Sequence, residues 1–478
     1  MKLSEYAAYD AVGLMELVRR GEIAAGEPAQ CAMRAIESMN PTLNFMSGAA
    51  QAVAHGDGPF AGLPMLFKES HGCVGQPAMQ GSRLTAGLLA TADTAFVARL
   101  KQAGIVALGA TTAPEFGLFC TTESSLHGAT RNPWHLEHSA GGSSGGSSAA
   151  VAAGVVPVAS ASDSGGSIRG PAHCTGTFGL KPSRARTPSD GRSDGGLFPF
   201  TQFHVTTRSV RDSAAFLDLL EAPTPASRYC VARPVRPYLQ EVGADPGRLR
   251  IGILRESPLQ TTLHDDCRTA VDVTAALCAA LGHDVEEAAP AVDWTAMTQA
   301  FLAALLSMLP HAVEALETLT GRRSGVDTLE PMTLRALEFA RSLRASDLHR
   351  ADAVFQSARQ AVGQYFQSYD VWITPSGVSP APRLGQFDPA ASNEDIGAYG
   401  LRTFADYAAF TPLLNVSGNP AASVPLHQGL DSGLPVGVQI VTRYGDEAML
   451  LRLASQLEAA RPWRHRHPPH SVFARPDA

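Results

Sequence analysis

Lysine is almost missing from this 478-residue chain: of 38 basic residues only Lys2, Lys68, Lys101 and Lys181 are lysines, so arginine carries the surface charge. Charge of either sign is sparse, at 17% of residues with a formal net charge of −7 and a pI near 6.1. With no basic stripe and no acidic tail, the chain is a poor match for a nucleic-acid partner. The seven cysteines are odd in number and have no CxxC spacing. That argues against both a disulfide framework and a thiolate zinc site and leaves most of them as small buried hydrophobes. We find no run of about 18 uncharged apolar residues to span a bilayer, and the first residues lack the apolar stretch of a secretory signal. A soluble, cytoplasmic protein is expected. What the chain does have is apolar content, 45% of residues, enough for a sizeable core and too much for disorder.

The scarcity of lysine gives Lys68 weight. It closes Gly62-Leu63-Pro64-Met65-Leu66-Phe67, a continuous apolar run that predicts a buried strand. Before it, apolar residues at helical spacing predict helices over 11–18 and 28–39, the second stopped by Asn40-Pro41. After it, a helix over 93–103 leads into a second buried strand at 105–109. Helices alternating with strands favour a mostly parallel or mixed sheet under helical cover. From 139 to 179 the composition turns to Gly and Ser, interleaved with an Ala/Val helix ending near 154 and a strand over 155–160. Flexible linkers do not alternate in this way, so this is a core built on tight backbone. Residues 184–196 read as a polar loop beside it. A strand at 250–254 precedes a stretch, 265–366, rich in Ala, Leu and Met at helical spacing, which reads as a second layer or cap. Strand character resumes at 371–375 and 436–441, and a helix closes the pattern over 447–458. The histidine-rich tail 464–470 resembles metal ligation in composition only and reads as a disordered or surface tail.

A nucleophilic serine needs a base for its proton and backbone N–H groups aimed at the oxygen that becomes negative. Asp163-Ser164-Gly165-Gly166-Ser167 supplies the second, because consecutive glycines let successive amides converge with no side chain in the way. Ser167 is the candidate nucleophile; the plainer alternative is a Gly-rich turn at a helix N-terminus. None of His71, His127, His135, His138, His173 or His204 sits in a pattern that commits it to a triad. Lys68 is the better base, because burial disfavours the ammonium and leaves an amine that accepts a proton. Its alternative is an ion pair with Glu69 or Asp163. Residues 141–146 also match G-x-S-x-G, but a nucleophile elbow needs a preceding strand, and residues 129–135 read as a polar, Pro-containing loop.

These pieces together resemble the amidase signature hydrolases. Ser143 and Ser167 stand 24 residues apart, as the two serines of that family do. Pro114-Glu115-Phe116-Gly117, residues 129–134, Phe178-Gly179-Leu180-Lys181-Pro182 and Leu434-Pro435-Val436-Gly437-Val438-Gln439 add to the resemblance. It implies an α/β fold with a central mixed β-sheet covered by helices on both faces. A single amidase domain would span 1–478: N-terminal helices over 1–60, a catalytic core over 61–250, a helical cap over 265–366, a C-terminal return to the sheet over 367–463 and a tail over 464–478.

The resemblance also implies roles. Ser167 would be the nucleophile, Lys68 the general base and then acid, and Ser143, joined to Gly142 by a cis peptide, the relay between them. The amides of Ser164, Gly165, Gly166 and Ser167 would form the oxyanion hole, with Asp163 and Arg169 holding that loop. The reaction implied is hydrolysis of the C–N bond of small amides, extending to carbamates (urethanes) and esters. It would need no cofactor and no metal, in a monomer or homodimer without membrane or nucleic-acid partner. Glu69 stands where the family more often has Asp, Ser164 where it has Ile or Thr, and Ala110 and Thr112 replace a Lys and an Asn. The C-terminal pieces, 413–421 and 437–463, look most like the branch containing cyclic amide-oligomer hydrolases. An amidase subunit of an amidotransferase complex, or a catalytically inert binding protein, would share the fold; the presence of Lys68, Ser143 and Ser167 together argues against the second. Substrate contacts are expected from Cys120, Thr121 and Thr122 with Glu123, from the 184–200 loop and from 294–346. The apolar run 301–309 in that last segment fits a binding wall or a core helix equally.

Overall fold

The computed structural model describes residues 1–188, 197–221 and 227–474. The strand expected before Lys68 forms as Pro64–Lys68, buried throughout. Successive side chains on a strand point to opposite faces, so 0% exposure at both Met65 and Leu66 means that both faces of the sheet are covered. Pro64–Lys68 runs parallel to Val106–Thr111 on one side and to Val158–Asp163 on the other. Among the described residues eleven strands form one sheet, in the spatial order Val53–Ala54, Val106–Thr111, Pro64–Lys68, Val158–Asp163, Gln202–Thr207, Phe178–Lys181, Ala421–Gln428, Pro435–Thr442, Val371–Pro375, Arg250–Ile253, Asp284–Glu287. The middle of the sheet is antiparallel and its Arg250–Ile253 end parallel, so it is mixed. Lys68 and Asp163 each stand last on parallel neighbouring strands. Both therefore emerge at the carboxyl edge of the sheet, where open α/β sheets place their ligands.

The helices Ala11–Arg19 and Glu27–Leu43 pack on the Pro64–Lys68 half of the sheet. Asp265–Ala280 and Glu447–Ala460 pack on the Pro435–Thr442 half. The cap consists of Trp294–Leu306, Leu309–Thr320, Pro331–Ser342 and Ala345–Ser368, held by two further apolar clusters.

Several expectations shift. The second helix runs through Pro41 to Leu43 and ends at Asn44 in the left-handed region; a proline in the final turn removes only one terminal hydrogen bond. The strand expected at 155–160 starts at Val158, since Pro157 has no N–H to contribute to a ladder. The stretch 265–366 is not one helical insert. Its first helix belongs to the sheet layer, and Asp284–Glu287 is an edge strand with three exposed acidic residues, a composition that blunts edge pairing and is too short to carry a period. Residues 135–139, expected within or next to a loop, form a strand paired with Arg131–Asn132 in a small ribbon outside the main sheet.

The membrane-span expectation also needs correcting. Trp294–Thr320 is long and apolar enough to cross a bilayer by length and composition, with a mean hydropathy of 1.4 and half of that window buried. Scattered uncharged Thr, Gln and Ser side chains hide this from a search for unbroken apolar runs. The tail is not disordered as far as Ala474. His470 N–H donates to Pro133 O, Val472 N–H to Ala153 O, and Val472 is buried in the first apolar cluster. Its anchors, Val472 and Phe473, lie just beyond the histidines that gave the polar impression. Five of the seven cysteines are buried, Cys120 is half-buried and Cys230 exposed.

Candidate active site

Lys68 Nζ lies 2.7 Å from Ser143 Oγ, 3.1 Å from Ser144 Oγ and 3.2 Å from Ser162 Oγ. Among the described residues no carboxylate is within ion-pair distance, and of the two alternatives Glu69 faces His127 instead, at 3.1 Å, while Asp163 pairs with Arg169. Burial, opposed by the more distant Asp163 and Glu69 carboxylates, lowers the Lys68 pKa to about 7. Near neutrality an appreciable fraction is therefore the free amine, whose lone pair can take a proton from Ser143. Ser160 fixes the lysine from behind, its hydroxyl accepting from Lys68 N–H at 2.9 Å and meeting His71 Nδ1 at 2.7 Å. The Gly142-Ser143 peptide is cis, as the resemblance implies. If Lys68 acts as base, protonation below its pKa removes it: kcat/KM is expected to rise tenfold per pH unit below about 7 and level off above. A pH–rate profile on a neutral amide checks this, and an acidic limb with its midpoint below pH 5 would contradict it.

The second half of the site is the loop after Val158–Asp163. The Asp163 carboxylate is fully buried and accepts from the amides of Gly166, Ile168 and Arg169, from Arg169 Nε and Nη2, and from Asn415 Nδ2. Burial opposes its charge, but the Arg169 guanidinium and Asn415 hold it well below the usual carboxylate range. Arg169 is itself fully buried and also donates to Thr411 O, Gln439 Oε1 and Asn415 Oδ1. Asp163 and Arg169 thus hold the loop as expected, from behind the cavity.

One oxyanion assignment is corrected. The Gly166 N–H donates to Asp163 Oδ1 at 2.8 Å and is not available to a substrate, because the carboxylate folds the loop around itself. The amides of Ser164, Gly165 and Ser167 donate to no protein group among the described residues. Gly166 is instead required for its backbone, with φ +136° and Thr411 Oγ1 only 2.4 Å from where a Cβ would stand. Gly166→Ala is expected to distort the loop and lower kcat on the order of 10²-fold, the cost of a displaced oxyanion donor; steady-state kinetics on an anilide measures it.

Lys68, Gly142, Ser143, Ser164, Gly165, Gly166, Ser167 and Cys120 line one cavity of about 520 Å³. No histidine lines it among the described residues. Thr121 and Thr122, expected in the pocket, do not reach it. They are 0% and 1% exposed, and Thr122 Oγ1 is turned inward, donating to Gly141 O and accepting from Gly145 N–H. Glu123 is likewise turned away, accepting from Gly385 N–H. Of the 184–200 loop, residues 189–196 lie outside the described residues, and Arg184 is buried against the carbonyls of Pro199, Asn415 and Val416; the cavity takes Thr201 and Phe203 instead. The run 301–309 serves as wall and core together, since Phe301, Leu305 and Leu309 line the cavity while Phe301 and Leu309 belong to apolar clusters.

Sequence reasoning missed the supports: Ser144 and Ser162 around the lysine, and Thr411, Asn415 and Gln439 behind the loop. Asn415 and Gln439 fall in pieces that carried the resemblance but suggested no role. Among the described residues no three His, Cys, Asp or Glu side chains gather as a metal-holding group.

A family model described as Amidase matches residues 29–451. The 6-aminohexanoate-cyclic-dimer hydrolase of Pseudomonas sp. (strain NK87) is 36% identical over 483 residues, covering 96% of each chain. A putative amidase AmiC of Mycobacterium leprae (strain TN) is 36% identical over 470 residues, covering 95% of each. The solved structure of 6-aminohexanoate cyclic dimer hydrolase superposes with a TM-score of 0.88 at 33% identity, over 97% of this chain and 99% of that one. A bacterial aryl acylamidase of the amidase signature family shares the fold, with a TM-score of 0.85 at 23% identity over 98% of this chain and 99% of its own.

Proposed function

The chain belongs to the amidase signature family, and from that premise we propose that it hydrolyses amides through an acyl-enzyme on Ser167. Ser167 Oγ attacks the carbonyl carbon, Ser143 passes the proton to Lys68, and the oxyanion rests on the amides of Ser164, Gly165 and Ser167. Collapse breaks the C–N bond, and the leaving nitrogen takes a proton back along Ser143 from Lys68. Water then attacks the ester of Ser167 with Lys68 again as base, releasing the acid. The observation that supports this most is the 2.7 Å contact between Ser143 and a buried lysine whose pKa is lowered to about 7. A lysine kept only for structure gains nothing from losing its charge among hydroxyls.

The relatives named for 6-aminohexanoate cyclic dimer favour neutral amides, cyclic ones among them, as substrates here too. Carbamates and esters present the same carbonyl to Ser167 and enter the same scheme. Product release from an aryl anilide, a cyclic diamide, an aryl carbamate and a p-nitrophenyl ester tests the reading and ranks the leaving groups. Turnover of the amides by the wild type and not by Lys68→Met supports it. Turnover of the ester alone, with both amides untouched, would overturn it.

A further inference from the structure

Phe301 reaches from the cap to the oxyanion loop. Its Cζ and Cε1 lie 2.8 and 3.1 Å from where a Cβ on Gly165 would stand, so the ring edge rests directly on the backbone two residues before Ser167. It is fully buried from solvent and lines the cavity. The ring cannot swing aside easily. Phe200 packs on it at 5.0 Å between centroids and Phe404 at 5.8 Å, edge to face, and Phe200 is held in turn by Phe198 and Phe355. On the other side of the loop Thr411 Oγ1 donates to Gly165 O at 2.6 Å. The loop is thus gripped between a fixed ring and a fixed hydroxyl. A carbonyl seated on the amides of Gly165 and Ser167 must carry its substituents past that ring.

We propose that Phe301, seated on Gly165, sets how bulky a group the site accepts beside the reacting carbonyl, so that unbranched chains are taken and branched ones refused. The inference rests on the acyl-enzyme reading of Ser167 and adds the substrate class. A methyl branch next to the carbonyl meets the ring edge, and close-packed aromatic neighbours leave no room to yield. Beyond the ring, Leu305, Leu309, Val313 and Leu316 continue the wall. An apolar surface of that kind stabilises an uncharged chain and strips a charged one of its hydration. The preferred substrate is therefore an uncharged amide with a slender carbon chain at the scissile bond.

The test compares wild type, Phe301→Ala and Phe301→Leu on two series. One has a butyryl or a pivaloyl group on p-nitroaniline, and the other has butanamides of n-butylamine and tert-butylamine. The readout is the ratio of kcat/KM for the branched and unbranched members, which a merely structural loss lowers equally in both. In the wild type the ratio is expected to be below one-tenth. Phe301→Ala is expected to raise it at least tenfold in one of the two series, with Phe301→Leu in between. Should Phe301→Ala fail to fold, Phe301→Leu decides. Ratios unchanged in variants that still hydrolyse the unbranched members would overturn the role of Phe301 alone; no turnover of any member by the wild type would overturn the reading of Ser167 beneath it.

Discussion

Replacing Ser167 with alanine is expected to lower kcat on an anilide by about 10⁴-fold or more, the scale of losing a nucleophile from a serine relay. The fold should survive, because the Ser167 hydroxyl makes no hydrogen bond to another protein group among the described residues; its backbone carbonyl accepts from Ser144 N–H. In the proposed relay Lys68, Ser143 and Ser167 act as one unit, so their losses are not expected to add. Once Ser167 is gone, a further Ser143→Ala or Lys68→Met change is expected to cost little more. Steady-state rates of the single and double variants, alongside a denaturation midpoint for each, separate this outcome from misfolding. Multiplying losses would show that the three residues act separately and would remove the relay from the account.

Arg169→Ala is expected to be the most damaging change to stability. It strands the Asp163 carboxylate, 0% exposed like its partner, as an unpaired buried charge, a loss of about 3–5 kcal/mol when one member of a buried pair is removed. It also leaves Gln439 Oε1 and Asn415 Oδ1 without their donor and Thr411 O with only the Leu414 N–H. Arg169→Lys is not expected to rescue, since an ammonium cannot span Asp163, Asn415 and Gln439 in one plane. The exposed pair Arg248–Asp284, with side chains 73% and 53% exposed, gives the contrast: Arg248→Ala is expected to cost less than about 1 kcal/mol. Urea denaturation midpoints for the three variants decide. Equal losses at Arg169 and Arg248 would mean that the buried network does not hold the loop.

What could be read from the residues follows from what each pattern encodes. Lys68 was legible because an apolar run ending in a rare lysine fixes both burial and the loss of charge that burial brings. The Gly-rich loop was legible because only glycine lets backbone amides converge, and Gly165 and Gly166 do lie hard against Phe301 and Thr411. That the Gly166 amide is spent on Asp163 was not legible, because it depends on which way one peptide turns within the loop. Thr121 and Thr122 were misplaced for a similar reason: Leu118, Phe119 and Cys120 line the cavity in succession, and the chain then turns so that Thr122 Oγ1 faces Gly141 O and Gly145 N–H. Asn415 lies 252 residues from Asp163 and Gln439 270 from Arg169 in the chain, and they meet only when Ala421–Gln428 and Pro435–Thr442 join the sheet beyond Phe178–Lys181. No local period signals such a contact. The edge strand Asp284–Glu287, four residues and mostly acidic, owes its conformation to pairing with Arg250–Ile253 rather than to its own propensity.

The central claim is a covalent ester on Ser167, and trapping it is the direct test. The wild type is quenched in acid while turning over a p-nitrophenyl alkanoate, digested, and its peptides weighed. The account predicts one acyl mass, on the peptide bearing Ser167 and assigned to that hydroxyl by fragmentation, with none on the same peptide from Ser167→Ala. An acyl mass on Ser143 or Lys68, or a burst of p-nitrophenol with Ser167 unmodified, would contradict it.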